Sequence, residues 1–411
     1  MRITIDNIGK IKHADIDISS VTVICGTNGT GKSTIAKSLF SSFNSLSNTS
    51  SKVEKEYNNS LASLACNKVS PFDKSKEFAE KVIVNKSNNK KVYDLASEYI
   101  NNNEDYDSFI NGYLEIMDIK SDKISEKLIN RVFSSEFNNQ INNIYSDDNG
   151  IIKLHVKDNT SEFVVNNNSV EVKNLAELYS EAIYIDDFKC IENVQNEHYT
   201  YKYVNNKKMQ LFKKILLENR AGLDHESHLC SKLENLTENS VINEIINNNR
   251  FKKIFDKIFE NCPGKIIINK DLKYAYHLDG TDKSLDMKNV AEGMKNFLLM
   301  KLLIENSTLL ENGVLILDEP EMHLHPEWQL LFAELIVLVN KYLNTHILIN
   351  THSPYFLNAV EVYTSKYSIV EPKYYLAKID GNVYDVTDNV EEAYAELARP
   401  FQMLEDERYE E

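Results

Sequence analysis

Period-two alternation marks the start of the chain. Ile3 and Ile5 alternate with polar neighbours, and Ala14, Ile16 and Ile18 alternate with Asp15, Asp17 and Ser19, so the pattern predicts strands with one buried face. Val21-Thr22-Val23-Ile24-Cys25 is a short β-branched run, as in a strand covered on both faces. A glycine-rich turn follows, and then Ala36, Leu39, Phe40 and Phe43 fall at helical spacing. Residues 44–80, rich in Ser, Asn and Lys, read as loops with short helices. Residues 150–172 read as a β-meander carried by Ile151, Ile152, Leu154, Val156, Phe163, Val165, Val170 and Val172, and 182–186 as another short strand. From about 205 to 260 the pattern is helical and charged, with Phe251, Ile254, Phe255 and Ile258 on one face. Residues 265–269 and 273–278 read as a hairpin, 290–304 as a helix and 313–318 as a buried strand. A long helix at 326–343, with Pro326 in its first turn, and a strand at 346–350 follow. A short β segment at 373–386 and an acidic helix close the chain. The reading is an α/β domain in two parts, 1–190 and 263–411, interrupted by an inserted helical subdomain at 191–262.

Bulk numbers narrow the partners. A formal net charge of −16 opposes broad nucleic-acid coating, which needs a basic surface, though it leaves room for one local groove. The five cysteines, Cys25, Cys66, Cys190, Cys230 and Cys262, are scattered and odd in number, which argues against a disulfide framework and for a reducing cytoplasm. No stretch approaches the roughly 18 apolar residues of a membrane span, and the first residues do not resemble a secretory signal. His225, His228, Cys230 and Cys262 match no regular zinc spacing and read as surface residues.

The chemistry concentrates in two places. Gly26-Thr27-Asn28-Gly29-Thr30-Gly31-Lys32-Ser33, continued by Thr34, fits the phosphate-binding loop G-x-x-x-x-G-K-[ST] between a buried strand and an amphipathic helix. Its glycines let backbone N–H groups wrap a phosphate, and the helix adds its positive N-terminal end. Lys32 is placed to reach the β- and γ-phosphates of ATP, and Ser33 to bind Mg²⁺. The run 314–317 then delivers Asp318 and Glu319 to a strand end, where ligands bind in open α/β sheets. Asp318 is the second expected Mg²⁺ ligand, and Glu319 the general base for the attacking water.

Asp318-Glu319-Pro320-Glu321-Met322-His323-Leu324-His325-Pro326 resembles the Walker B motif and D-loop of ABC/SMC-type P-loop ATPases, in particular the OLD/RecF-like (AAA_21/AAA_15-like) branch with its "DEPE-x-x-LHP". Ile349-Asn350-Thr351-His352-Ser353-Pro354 resembles that branch's "THSP" switch. The resemblance implies an ABC-ATPase-type fold: a mixed sheet flanked by helices, an N-terminal antiparallel β subdomain and an inserted helical arm. It implies ATP and Mg²⁺, a homodimer or higher homo-oligomer, and a catalytic role for His352 at the γ-phosphate beside Glu319 and Lys32. His323 and His325 become D-loop residues at the dimer interface. The signature segment falls at Val290-Ala291-Glu292-Gly293-Met294-Lys295, where Glu292, Gly293 and Lys295 are the implied contacts to a partner's nucleotide. The usual serine is missing, so Lys295 either supplies the lost contact or is an exposed helix lysine. Gln195 is the implied glutamine-loop residue. Lys10, Lys12 and His13 lie where relatives contact adenine.

The substituted signature implies slow, switch-like hydrolysis. The chain after residue 370 is short for a TOPRIM nuclease, so the expected role is control of a separately encoded nuclease or toxin, as in the ATPase subunits of Septu, PARIS and retron-associated anti-phage systems. A RecF- or SMC-like clamp on DNA is the alternative. A transporter's nucleotide-binding subunit is disfavoured by the serine-poor signature and the D-loop, and no membrane contact is expected.

Overall fold

The computed structural model describes residues 1–192, 194, 223–234, 241–260, 264–269, 273–309 and 311–409. The alternating N-terminal residues form a hairpin of β1 (Arg2–Ile8) and β2 (Ile11–Asp17), followed by β3 (Val21–Cys25), the glycine loop and α1 (Lys32–Leu46). Five helices come next: α2 (Thr49–Cys66), α3 (Phe72–Asn85), α4 (Asn89–Tyr99), α5 (Asn103–Asp118) and α6 (Ser121–Glu136). The meander is β4 (Gly150–Val156), β5 (Asn159–Asn166) and β6 (Ser169–Lys173), and β7 (Ala182–Ile185) follows. Beyond it stand α7 (His225–Glu234) and α8 (Val241–Phe259), then β8 (Gly264–Ile268), β9 (Tyr274–Leu278) and β10 (Ser284–Asp286). The chain then runs α9 (Glu292–Glu305), β11 (Val314–Asp318), α10 (Pro326–Leu343), β12 (His346–Thr351) and α11 (Pro354–Lys366). It ends with β13 (Lys373–Ala377), β14 (Val383–Asp385) and α12 (Glu391–Tyr409).

The central sheet runs β14-β13-β3-β12-β11-β7 and is parallel except for the edge strand β14. Its inner strands are mostly hydrophobic because both faces are covered, with polar residues gathered near the carboxyl ends of β11 and β12, and period two decides which residue meets which core. Val21, Val23, Leu315 and Leu317 enter the larger core with α9, α10 and α11, while Ile24, Val314 and Ile316 enter the second core. In that second core α1 is held between the central sheet and the antiparallel sheet β2-β1-β4-β5-β6, through Ile35, Leu39, Phe40 and Phe43.

The structure departs from the sequence reading in the middle of the chain. Residues 44–80 are not loops with short helices but the end of α1, all of α2 and most of α3. Helices α2 to α5 enclose their own core, with Leu61, Phe78, Val82, Phe109 and Tyr113 at its centre. Each helix gives few apolar residues to this core and is otherwise coated with Asn, Lys and Ser, so the periodic signal is diluted. Asn48, in the left-handed conformation, turns the chain from α1 into α2, and Lys52 Nζ ties the corner by donating to the Asn44 carbonyl (2.7 Å). Helix α6 returns to the main body, setting Ile129 and Phe133 in the second core.

Much of the stretch read as an inserted arm, including the position of Gln195, lies outside the described residues. Its described helices pack into the larger core through Leu229, Leu233, Phe251, Ile254, Phe255 and Ile258. His225 and His228 are likewise buried rather than on the surface. His225 binds Glu136 through Nδ1 (2.8 Å) and Asp186 through Nε2 (2.9 Å), and His228 Nε2 lies 3.2 Å from Glu181. No helix among the described residues is long and apolar enough to cross a membrane.

Candidate nucleotide-binding site

The sheet's register assembles the site. β11 and β12 are parallel with Asp318 opposite Asn350, and β12 and β3 are parallel with Thr351 opposite Cys25. The carboxyl ends of three adjacent strands therefore finish level, and each continues directly into a reactive segment: the glycine loop after β3, Glu319 after β11 and His352 after β12.

Backbone shape in the loop depends on glycine. A Cβ on Gly26 would lie 2.4 Å from the Ala377 carbonyl oxygen, and one on Gly31, at φ +96°, would lie 2.5 Å from Ile11 Cδ1. A side chain at either position would collide with a neighbouring element, so the loop keeps this shape only with glycine there. Lys32, in the first turn of α1, donates from Nζ to the carbonyls of Gly26 (2.9 Å) and Thr27 (3.1 Å). Burial pushes its ammonium below the usual lysine range, while the charges of Glu319, Asp318 and Glu321 act to keep it protonated. The Lys10 ammonium overhangs the loop, 3.6 Å from where a Gly29 Cβ would sit.

Asp318 is buried and accepts from three donors: the Ser33 hydroxyl, Asn350 Nδ2 (3.1 Å) and the Tyr184 hydroxyl (3.0 Å). Burial raises its carboxyl above the ordinary range, and those three donors oppose the rise. The contact with Ser33 joins the two expected Mg²⁺ ligands at one point. A buried carboxylate and a hydroxyl beside the glycine loop form an oxygen-donor pair suited to a hard divalent cation shared with a polyphosphate.

Glu319 sits at φ +50°, which is uncommon for a residue with a long side chain, and its N–H bonds the Asn350 carbonyl (2.9 Å). His352 Nδ1 lies 3.1 Å from Glu319 Oε1, and both side chains are partly exposed. Lys32, Ser33, Asp318, Glu319 and His352, scattered over more than 300 positions of sequence, thus converge at the carboxyl ends of three inner strands.

The segment expected to be the signature, 290–295, stands apart from this cluster and is tied to the turn at 319–325 of the same chain. A Cβ on Gly293 would come 2.9 Å from the His323 carbonyl oxygen, so glycine is needed there for close packing. Glu292 is clamped by Lys189 (2.8 Å) and His323 Nδ1 (3.0 Å). Lys295 departs from the expectation of an exposed helix lysine. Its side chain is only 3% exposed and its ammonium bonds Glu192 at 2.6 Å, so it is not an exposed helix lysine and its charge is already paired within the chain. His325 caps α10 by accepting from the Glu327 N–H. Glu319, Glu292, His323, Asp186, Asp187 and Lys189 border a cavity of about 250 Å³ between the two regions. His13 pairs with Asp6 on the exposed hairpin (2.6 Å), and the Lys12 N–H bonds the Gly381 carbonyl (2.7 Å).

Sequence reasoning gave no role to Tyr184, Asn350, Glu321 or Lys189, although all four stand within or beside motifs that are visible in the sequence. An unbroken apolar strand interrupted by one tyrosine, and an asparagine at the end of another, were the available signals.

A mixed sheet with the phosphate loop after its central strand, paired carboxylates on a neighbouring strand and an antiparallel subdomain at the N-terminus is the ABC-ATPase-type P-loop architecture. The SmcHead bound to the C-winged helix domain of ScpA aligns over 95% of this chain and 98% of its own at 12% identity and TM-score 0.42. The SMC head domain from Thermotoga maritima aligns over 94% and 97% at 11% identity and TM-score 0.38. The Pyrococcus furiosus Smc head domain with an extended coiled coil, bound to the C-terminal domain of ScpA, aligns over 99% and 98% at 11% identity and TM-score 0.42. The AAA_15 model, describing an AAA ATPase domain, matches residues 1–357, and the chain belongs to that family.

Proposed function

We propose that the chain binds ATP with Mg²⁺, hydrolyses it slowly and works as a nucleotide-gated homodimer. The convergence of the glycine loop, Asp318, Glu319 and His352 at the carboxyl ends of three inner strands carries this reading. The loop's N–H groups and Lys32 hold the phosphates, with Thr34 on the same first turn of α1. Ser33 and Asp318 hold Mg²⁺, which neutralises phosphate charge when bound. Glu319 removes a proton from the attacking water, and His352, in contact with Glu319 Oε1, orients it and faces the γ-phosphate. Glu292 and Gly293 at the N-terminus of α9 are the surface offered to a partner's nucleotide. The Glu292 charge is already met by Lys189 and His323, which lessens repulsion of phosphate. Catalysis of this kind is mostly positioning, so a signature without its serine supports slow turnover.

The "DEPE-x-x-LHP" and "THSP" segments further support a place among ATPases that control a separately encoded nuclease or toxin in anti-phage defence, in the cytoplasm. The first experiment is the solution mass of Glu319→Gln protein with and without ATP and Mg²⁺. A monomer that becomes a dimer only with nucleotide is the expected result, and a monomer under both conditions removes the dimeric mechanism. A turnover rate raised severalfold by duplex DNA, with no effect on a co-expressed neighbouring nuclease or toxin, would replace effector control with DNA clamping.

A further inference from the structure

Glu321 is the one carboxylate of the Walker B turn to which the reading above gives no task. It is 4% exposed, and its Oε2 has no hydrogen-bond partner among the described residues. Burial, with the Glu319 charge adding, lifts its carboxyl above the usual range, while the Thr351 hydroxyl and His352 oppose the rise. It also lies within electrostatic reach of Lys32. A buried carboxylate with an oxygen left unsatisfied lowers stability, and such groups persist where a site needs them.

The contacts say what it does. Glu321 Oε1 accepts the Thr351 hydroxyl in a short hydrogen bond. The Thr351 Oγ1 in turn accepts the Ser353 N–H (3.0 Å), and Ser353 Oγ caps α11 by accepting the Phe356 N–H (3.1 Å). His352 is the residue between those two anchors, and its ring meets Glu319. The Walker B turn is itself held by Asn296 Nδ2, on the signature helix, donating to the Pro320 carbonyl (3.1 Å). We infer that Glu321 is a positioning residue of the hydrolytic site: it pins the Thr351 hydroxyl, fixes the turn from Thr351 to Ser353 and so keeps His352 aimed at Glu319. Through Asn296 the same turn reports the position of α9, so the signature helix and the histidine share one mechanical link.

This inference rests on the proposed hydrolysis, and the test separates the two. Steady-state ATP turnover and thermal melting are measured for wild type, Glu321→Leu with Thr351→Val, and Glu321→Gln. The apolar pair removes both members of the Glu321–Thr351 bond at once and leaves only the Ser353 N–H, at a half-buried position, to find water in place of Thr351 Oγ1, so the fold should melt close to the wild-type temperature. Its kcat should fall about 100-fold, the cost of ångström-scale misplacement, with KM for ATP within about threefold. Glu321→Gln keeps an oxygen that accepts from Thr351 and should recover most of kcat. A kcat loss that merely follows a lower melting temperature, or an unchanged kcat in the apolar pair, overturns the inference. So does a glutamine variant as inactive as the apolar pair, since that outcome assigns proton chemistry rather than positioning. If wild type itself turns over no ATP, the hydrolytic reading has failed and the inference falls with it, whatever the melting curves show.

Discussion

Replacing Tyr184 by Phe removes one hydroxyl from the interior and keeps the ring. The ring is 1% exposed, stacks on His225 at 4.1 Å between centroids and tilts against Phe40 at 6.1 Å, so packing is preserved. The hydroxyl is protonated, because burial raises its pKa well above the ordinary range, and it donates to Asp318 Oδ2 at 3.0 Å. Its removal leaves that buried carboxylate with Ser33 and Asn350 as donors. A hydrogen bond to a charged group is worth about 1.5–3 kcal/mol. For a chain of 411 residues unfolding as one unit, at about 2.1 cal/mol/K per residue, the melting temperature should fall by about 2–4 °C. Asp318 also becomes less well oriented and more readily protonated, so half-saturating Mg²⁺ for ATP turnover should rise severalfold while nucleotide binding without metal is unchanged. Scanning fluorimetry and a Mg²⁺ titration of turnover check both effects. Unchanged melting together with an unchanged Mg²⁺ requirement would refute the argument. A destabilisation beyond about 5 kcal/mol would instead show that the ring had shifted, a loss on the scale of a core cavity.

Three further outcomes follow from the site and its surroundings. Gly31→Ala places a Cβ 2.5 Å from Ile11 Cδ1 at φ +96°, so about 1–3 kcal/mol of strain should weaken binding of a fluorescent ATP analogue by tenfold or more. Lys295→Met leaves Glu192 without its partner and should destabilise by up to about 3–5 kcal/mol. Adding Glu192→Gln should restore most of the melting temperature, and the ATP-dependent mass shift should survive in the double variant. For His225, burial opposes the charged form, but hydrogen bonds to Asp186 and Glu136 outweigh it and push the pKa up to about 9. A folded-state value raised above the ordinary 6.5 means the stabilisation is complete below that pH and lost as pH rises through about 9. The stability gap between wild type and His225→Gln, about 3 kcal/mol at most near pH 6, should therefore shrink across pH 7–10 in denaturant titrations.

The legible parts of the sequence were those whose chemistry is local. The glycine spacing from Gly26 to Gly31, the run ending in Asp318-Glu319, and the run ending at Thr351-His352 each announce a strand and its cargo within a few residues. The parallel order of those strands then brings the cargo together. What could not be read depends on distant partners. Lys295 has the look of a surface lysine, and only the fold shows Glu192, 103 residues earlier, lying against it. His225 and His228 are polar residues in a charged stretch, and their burial follows from Glu136 and Glu181, which approach from other elements. Helices α2 to α5 escaped because each buries only a few positions, such as Val92 and Ala96 in α4, amid residues typical of loops.

The corner at Asn48 has a mechanical meaning. Helix α1 begins at Lys32, and α2 leaves its far end through one left-handed residue braced by Lys52. The four-helix unit is therefore carried on α1 at this corner, with α6 as its second tie to the main body. At 18 residues and 1.5 Å per residue α2 is about 27 Å long, so a tilt of about 5° in α1 moves its tip by about 2 Å. A displacement too small to disturb the packed sheet would thus appear, amplified, on the surface of the insert farthest from Lys32.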